Sequence, residues 1–291
     1  MEIRTLRYFL AVAKEENMTR AAELLHVTQP TLSKQLKSLE DELGKKLFTR
    51  HSFSITLTEE GRLLRDRAED LITMADKISN EFTSMDDITG GEIYLGLAES
   101  SHISYLAKAI KRLKEKYPYL HYNIISGDTE QVIDKLNKGI LDFAVLAEDP
   151  DPVKYEHIPF PEADIWGLII PKGDPLSNKT SIRAKDLIGL PLLCSGQAWE
   201  NEIPKWAGDD FDKLRLEGSF KLSYNGGIFT EAGLGYLLTF DKILNTSESG
   251  SLCFRPLYPK LETRLYLVWK KDQTFSPIAD RFLKQIRSDF R

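Results

Sequence analysis

Apolar positions along the first third of the chain fall at helical spacing. Ile3, Leu6, Phe9, Leu10 and Ala13 form one face of a helix. Asn17 ends it and Thr19 is the expected cap of a second helix, with Ala21, Ala22, Leu24 and Leu25 inward. His26 and Val27 make a turn, with Val27 as its buried plug. Thr28 caps a third helix, and Pro30 sits in its first turn, where a missing N–H costs little. Leu32, Leu36, Leu39 and Leu43 give that helix a buried stripe, and Gly44 closes it. Phe53, Ile55 and Leu57 then alternate with polar residues at strand period, the pattern of a short wing hairpin. From Thr58, a cap followed by Glu59 and Glu60, a long helix carries Leu64, Ala68, Leu71, Ala75, Ile78 and Phe82 in alternating steps of four and three. That narrow seam among charged neighbours is the pattern of a coiled coil and predicts dimerisation.

The pattern changes after a polar, Gly-rich stretch at residues 86–91. A strand over 93–97, a helix opened by Ser100 and Ser101, a strand near 122–125, a helix capped by Asp128 and a buried strand over 141–147 spell βαβαβ. Such an order implies a parallel sheet with helices on its faces. Apolar runs at 165–170, 190–194, 220–223 and 236–240 predict a second, similar subdomain. A strand over 263–269 and a helix over 277–290 end the chain.

The 291 residues, 42% hydrophobic and 29% charged, suit two or three domains with real cores. No uncharged apolar leader and no run near ~20 apolar residues is present, which predicts a cytoplasmic protein without a membrane partner. Cys194 and Cys253 lack paired spacing and read as core thiols, and the five His include no metal-spaced pair. Neither a phosphate-binding loop, a nucleophile elbow, an HExxH helix nor a dinucleotide fingerprint occurs, so an enzyme, a cofactor and a metal are not expected. Net charge is -5, yet residues 1–57 hold nine basic against seven acidic residues, while 58–86 hold four against eight. The total looks wrong for a binder of double-stranded DNA, and a basic end so mild would need two copies on one site to bind it.

Residues 18–48 fit that partner as two helices and a tight turn. The outer face of the third helix is polar at its start, and its acids, Glu40, Asp41 and Glu42, come only at its end. Taken alone, the same pattern also describes an ordinary solvated face. Together with Leu6-Arg7-Tyr8-Phe9, residues 19–25, 28–33, 36–40 and 43–50, and Leu57-Thr58-Glu59-Glu60-Gly61, it resembles the winged helix-turn-helix and linker helix of LysR-type transcriptional regulators. The likeness implies recognition through Thr19, Arg20, Thr28, Gln29, Pro30, Thr31, Ser33, Lys34 and Lys37, with Arg50 on the wing. Phe53 departs from the basic residue that the family often places there.

Residues 139–144, 170–176 and 232–235 extend the resemblance to the family's two-lobed α/β effector domain of periplasmic-binding-protein type. The expected domains are therefore 1–57 (winged helix-turn-helix), 58–86 (linker helix), 87–91 (hinge) and 92–291 (effector domain). Lobe 1 would comprise about 92–161 and 268–291, and lobe 2 about 162–267, with chain crossings near Pro161 and Leu267. Ligands in open α/β sheets bind at the carboxyl ends of strands. That rule and the resemblance nominate Ser100, Ser101, Gly127, Thr129, Ser195, Gly196, Asn225 and Phe229 for a small-molecule effector. Hydroxyls and helix N-termini there favour an anion such as a carboxylate, although Glu99 could either repel an acid or pair with a ligand amine. The implied protein is a homodimeric or homotetrameric, effector-modulated bacterial DNA-binding regulator.

Overall fold

The computed structural model describes residues 1–51, 54–83 and 89–290. The chain divides into two compact units, Met1–Asp86 and Asp87–Arg291.

The first unit contains α1 (Ile3–Glu15), α2 (Met18–Leu24), α3 (Gln29–Leu43), β1 (Phe48–Arg50), β2 (Ile55–Leu57) and α4 (Glu59–Thr83). Leu6, Phe9 and Val12 of α1 meet Ala21 and Ala22 of α2 and Leu32, Leu36 and Leu39 of α3 in one core. The cap of α2 is Asn17, whose side chain accepts the N–H groups of Thr19 and Arg20, so Thr19 is not the cap. Leu24 is exposed, because α2 is too short to turn it under α1. Thr28 caps α3 and His26 takes the left-handed conformation that closes the turn. At the other end of α3, Glu40 accepts the Leu47 N–H and the Lys46 ammonium, tying the wing to the helix. The wing pairs Phe48 with Leu57 and Arg50 with Ile55, while Phe53 lies outside the described residues.

The seam of α4 divides. Ala68 is fully buried in the core and Leu64 packs against it, so these two positions are filled within the chain and not by a partner. Arg7 of α1 pairs with Asp76 and holds α4 further along. Leu71, Ile78 and Phe82 stay exposed, with Ala75 intermediate.

The second unit has two lobes. In the first, β3 (Gly90–Leu97), β4 (Tyr119–Ser126) and β5 (Phe143–Leu146) are parallel, with α5 (Ser104–Lys116) and α6 (Thr129–Asn137) as crossovers. Gly90 and Gly91 already pair with Tyr119 and Leu120, so these two belong to the sheet and not to a hinge. The second lobe holds β7 (Pro191–Ser195), α7 (Gly196–Ala207), β8 (Arg215–Phe220), α8 (Ser223–Glu231), β9 (Tyr236–Phe240) and β10 (Leu252–Pro256). The predicted strand at 220–223 is the end of β8 and the start of α8.

Two strands join the lobes. β6 (Tyr155–Pro171) runs 17 residues, and β11 (Glu262–Lys270) returns antiparallel beside it, from Glu262 opposite Ile165 to Lys270 opposite Tyr155. Leu265 and Leu267 lie in the first-lobe core, so the return crossing comes before Leu267, around Glu262 to Arg264. Beyond it, β6 pairs with β9 and β10 in the second lobe. The terminal helix α9 (Pro277–Asp289) covers the first lobe through Ile278, Phe282 and Ile286. Among the described residues no helix is long and apolar enough to cross a membrane.

Gly61 is where α4 passes the wing base. A Cβ there would lie 2.1 Å from the Leu47 carbonyl oxygen, which also accepts the Thr58 N–H. Gly61→Ala is therefore expected to destabilise the first unit by about 1–3 kcal/mol, as overpacking against fixed backbone does. A lowered urea midpoint at an unchanged slope is the expected reading.

Candidate functional site

In the first unit, Thr19, Arg20, Thr28, Gln29, Pro30, Thr31, Lys34 and Lys37 are all exposed, with Ser33 intermediate. The Leu32, Leu36 and Leu39 stripe fixes this by facing the core. Thr28 and Thr31 hydroxyls share a 2.8 Å hydrogen bond at the start of α3. Arg20 reaches back to the Glu15 carbonyl at 2.6 Å, which anchors its guanidinium beside α2. Glu40 is the first acid on α3. Burial alone would raise its pKa, but the Lys46 ammonium and the Leu47 and Phe48 N–H groups outweigh that and hold it down. Its charge is thus neutralised locally, and the first turns of α3 present amide, hydroxyl and ammonium groups of the kinds that touch base edges and phosphates. Arg50 holds its backbone place on the wing, and its side chain lies outside the described residues.

In the second unit, a cavity of about 420 Å³ opens between the lobes. A small metabolite fits that volume. Ala98 and Glu99 reach it from the end of β3, Gly127 and Asp128 from the end of β4, and Ala147 from the end of β5. Ser195, Gly196 and Gln197 face them from the start of α7, followed by Glu202 one helical turn and more along it. Trp166 and Thr263 contribute from the two crossing strands, joined by a 2.8 Å hydrogen bond from the indole to the Thr263 hydroxyl. Lys221, Ser223, Thr239 and Phe240 complete the side belonging to the second lobe.

Three polar links cross the cleft. Lys221 pairs with Asp128 at 2.8 Å, Gln197 exchanges hydrogen bonds with the N–H and hydroxyl of Thr129, and the Ser223 N–H donates to Glu99. Asp128 also caps α6 through the Gln131 N–H. Burial pushes its pKa up, and Lys221 with that N–H more than reverses this.

Of the residues expected around an effector, Gly127, Ser195 and Gly196 line the cavity, and Thr129 acts one step away, through Gln197. Ser100 does not line it. Its hydroxyl donates to the buried Asp164 at 2.7 Å and accepts the His102 N–H, so it caps a turn at the crossing strand. Ser101 sits in that same turn (Ser101–Ile103). Asn225 and Phe229 are exposed on α8, whose Gly226 and Gly227 let it lie close on Phe220 and Leu244, leaving only Ser223 of this helix at the cavity. Glu202, Trp166, Lys221, Thr239 and Thr263 were not expected from the sequence. They come from a mid-helix turn, crossing strands and a distant strand end, and no local motif marks them.

The carboxylate expectation fits poorly. Glu99, Asp128 and Glu202 face one Lys, and that Lys221 is already engaged by Asp128. Burial raises the pKa of Glu202, Glu148 adds to the rise, and Lys205 opposes it only in part. Among the described residues no group of three or more His, Cys, Asp or Glu could hold a metal ion.

Comparison with known proteins gives a consistent match. The model for "Bacterial regulatory helix-turn-helix protein, lysR family" matches residues 3–62, and that for "LysR substrate binding domain" matches residues 87–291. The transcriptional regulator BsdA of Bacillus subtilis is 30% identical over 224 residues, covering 75% of this chain and 74% of that protein. A hydrogen peroxide-inducible genes activator of Pectobacterium carotovorum is 28% identical over 289 residues, 97% of this chain and 93% of that one. The crystal structure of CbnR, a LysR family transcriptional regulator, superposes with a TM-score of 0.77 over 100% of both chains at 19% identity, a likeness of fold.

The raised Glu202 pKa has a testable sign. Above that pKa the buried charge costs stability, and protonation removes the cost. Glu202→Gln should therefore raise the thermal midpoint near pH 7, and the gain should disappear below the ordinary glutamate value of 4.5. Thermal unfolding followed by circular dichroism across pH 4 to 8 checks this.

Proposed function

The chain belongs to the lysR family of bacterial regulatory helix-turn-helix proteins and is a DNA-binding transcriptional regulator with a substrate-binding domain; we propose that it reads DNA with the exposed face of α3, as a pair, under control of a small molecule in the interlobe cavity. The observation that carries this reading is the cavity itself. It sits where both crossing strands contribute a side chain, Trp166 and Thr263, and where three polar links already bridge the lobes. A ligand that binds more tightly to one arrangement of those links shifts the population of lobe positions, and no other coupling is needed.

On the DNA, Gln29, Thr31 and Ser33 approach base edges, Lys34 and Lys37 approach phosphates, and Arg20 and Arg50 support the contact from either side. Pairing uses Leu71, Ala75, Ile78 and Phe82, the part of the seam that the core does not cover. The protein acts in the cytoplasm and has no catalytic step of its own. The peroxide response in the names of some relatives does not carry over easily. Cys194 and Cys253 are buried, and burial pushes the Cys194 thiol up to about 12, far from the thiolate that such sensing needs.

Lys34→Ala should weaken DNA binding and lower the slope of log affinity against log salt by about one. Fluorescence anisotropy at several salt concentrations reads both, and an unchanged slope would remove Lys34 from the phosphates. Ile78→Asp with Phe82→Asp should shift the protein toward monomer in sedimentation velocity without loss of helical signal. A footprint that is the same with and without a cavity-bound ligand would sink the ligand-controlled part of the reading.

A further inference from the structure

The cavity is the site; its charges decide what it takes. Four charged side chains line it: Glu99, Asp128, Glu202 and Lys221. Lys221 lies 2.8 Å from Asp128 and cancels it. Glu99 accepts the Ser223 N–H and has no ion-pair partner among the described residues. Glu202, half-buried on α7, has no ion-pair partner among the described residues. Its pKa is pushed up first by burial and then by Glu148, a further carboxylate at the end of β5. Two carboxylates without an ion pair among the described residues, one of them offset only in part by Lys205, therefore face a space large enough for a small organic molecule.

An entering carboxylate would meet two carboxylates at low local dielectric, with the ammonium that lines the cavity, Lys221, already engaged. At the start of α7 the Ser195 hydroxyl already takes one of the N–H groups, that of Ala198, for its own cap. A cation meets the opposite situation. It also meets Trp166 and Phe240, two aromatic residues that line the cavity and pack edge to face at 4.5 Å between ring centroids. Aromatic rings attract ammonium and guanidinium groups.

Resting on the reading of this cleft as the effector site, we infer that its ligand is a small organic cation, an ammonium or guanidinium compound whose positive group is engaged by Glu99 and Glu202. Binding a cation supplies the charge the cavity lacks and removes the penalty carried by Glu202.

The test is isothermal titration of the full-length protein with putrescine, spermidine, lysine and arginine, and in parallel with benzoate and succinate, followed by footprinting with any binder. The expected result is saturable binding of at least one cation, a loss of tenfold or more in both Glu99→Gln and Glu202→Gln, and no binding of the two acids. Circular dichroism confirms that both variants fold. Benzoate or succinate binding in place of the cations, more tightly in Glu202→Gln, would overturn the inference; if that acid also changed the footprint, the effector reading of the cleft would stand. Cation binding indifferent to both substitutions, or no cation binding by folded wild type, would overturn it as well. A cation lost on both substitutions that leaves the footprint unaltered would support the charge assignment and defeat ligand control of DNA reading.

Discussion

The antiparallel pairing of β6 with β11 is the constraint on which the second unit depends. These are the two strands that pass between the lobes, and they are hydrogen-bonded to each other as they do so. A single connection would let the lobes turn freely; two paired strands confine them to the bending and twisting that a two-stranded ribbon allows. The register shift between Arg264 and Tyr266 falls at the crossing itself. Bulges of this kind locally loosen a ladder and increase its twist. Thr263, which lines the cavity, pairs just before this shift on β11. Chemistry in the cleft and geometry of the crossing are not separate matters in this fold.

A second constraint is electrostatic. Each lobe brings its strand ends and helix starts to the cleft, and such ends attract anions in most α/β sheets. Here much of that capacity is occupied by the chain's own carboxylates and hydroxyls. Asp128 caps α6, Ser195 caps α7 and Glu99 takes the N–H at the start of α8. The cleft is in this sense already furnished with its own anions. Asp164, buried behind the wall, is held by Ser100 and lies 3.0 Å from His102, and desolvation raises its pKa despite both. The Ser100 hydroxyl points at the Asp and not at the His, so the three residues form no nucleophile–base pair of the hydrolytic kind.

Local features were legible in the sequence and long-range ones were not. The stripe of α3 at Leu32, Leu36 and Leu39, its Thr28 cap and its Gly44 terminus depend on residues a few places apart and stand as read, whereas Leu43, expected on the same face, is exposed at the helix end. The βαβαβ order of the first lobe is legible for the same reason. The first ten residues of β6 were missed because Pro159, Pro161, Glu162 and Asp164 look unlike a strand; they are held extended by β11, a hundred residues away. β10 was missed likewise, its partner being β6. In the cleft, Gly127, Ser195 and Gly196 could be found because a strand end and a helix start are visible in sequence. Glu202 could not, since only the packing of α7 decides which of its polar residues turns toward the other lobe. Ser100 was misjudged because a hydroxyl at a strand end looks the same whether it meets a ligand or a buried Asp.

The division of the α4 seam has a consequence for how the first unit could be cut and exchanged. By sequence the reader ends at Leu57, where the wing returns and the long helix begins. In three dimensions it does not, because Leu64, Ala68 and Ile72 complete the core under α1 and Arg7 grips Asp76. A chimera joined at residue 57 would inherit a reader with one wall of its core missing, and its half-site spacing would be set by a foreign helix leaving at a foreign angle. The transplantable part runs about five helical turns further, and reading helix and stem move between proteins as one piece.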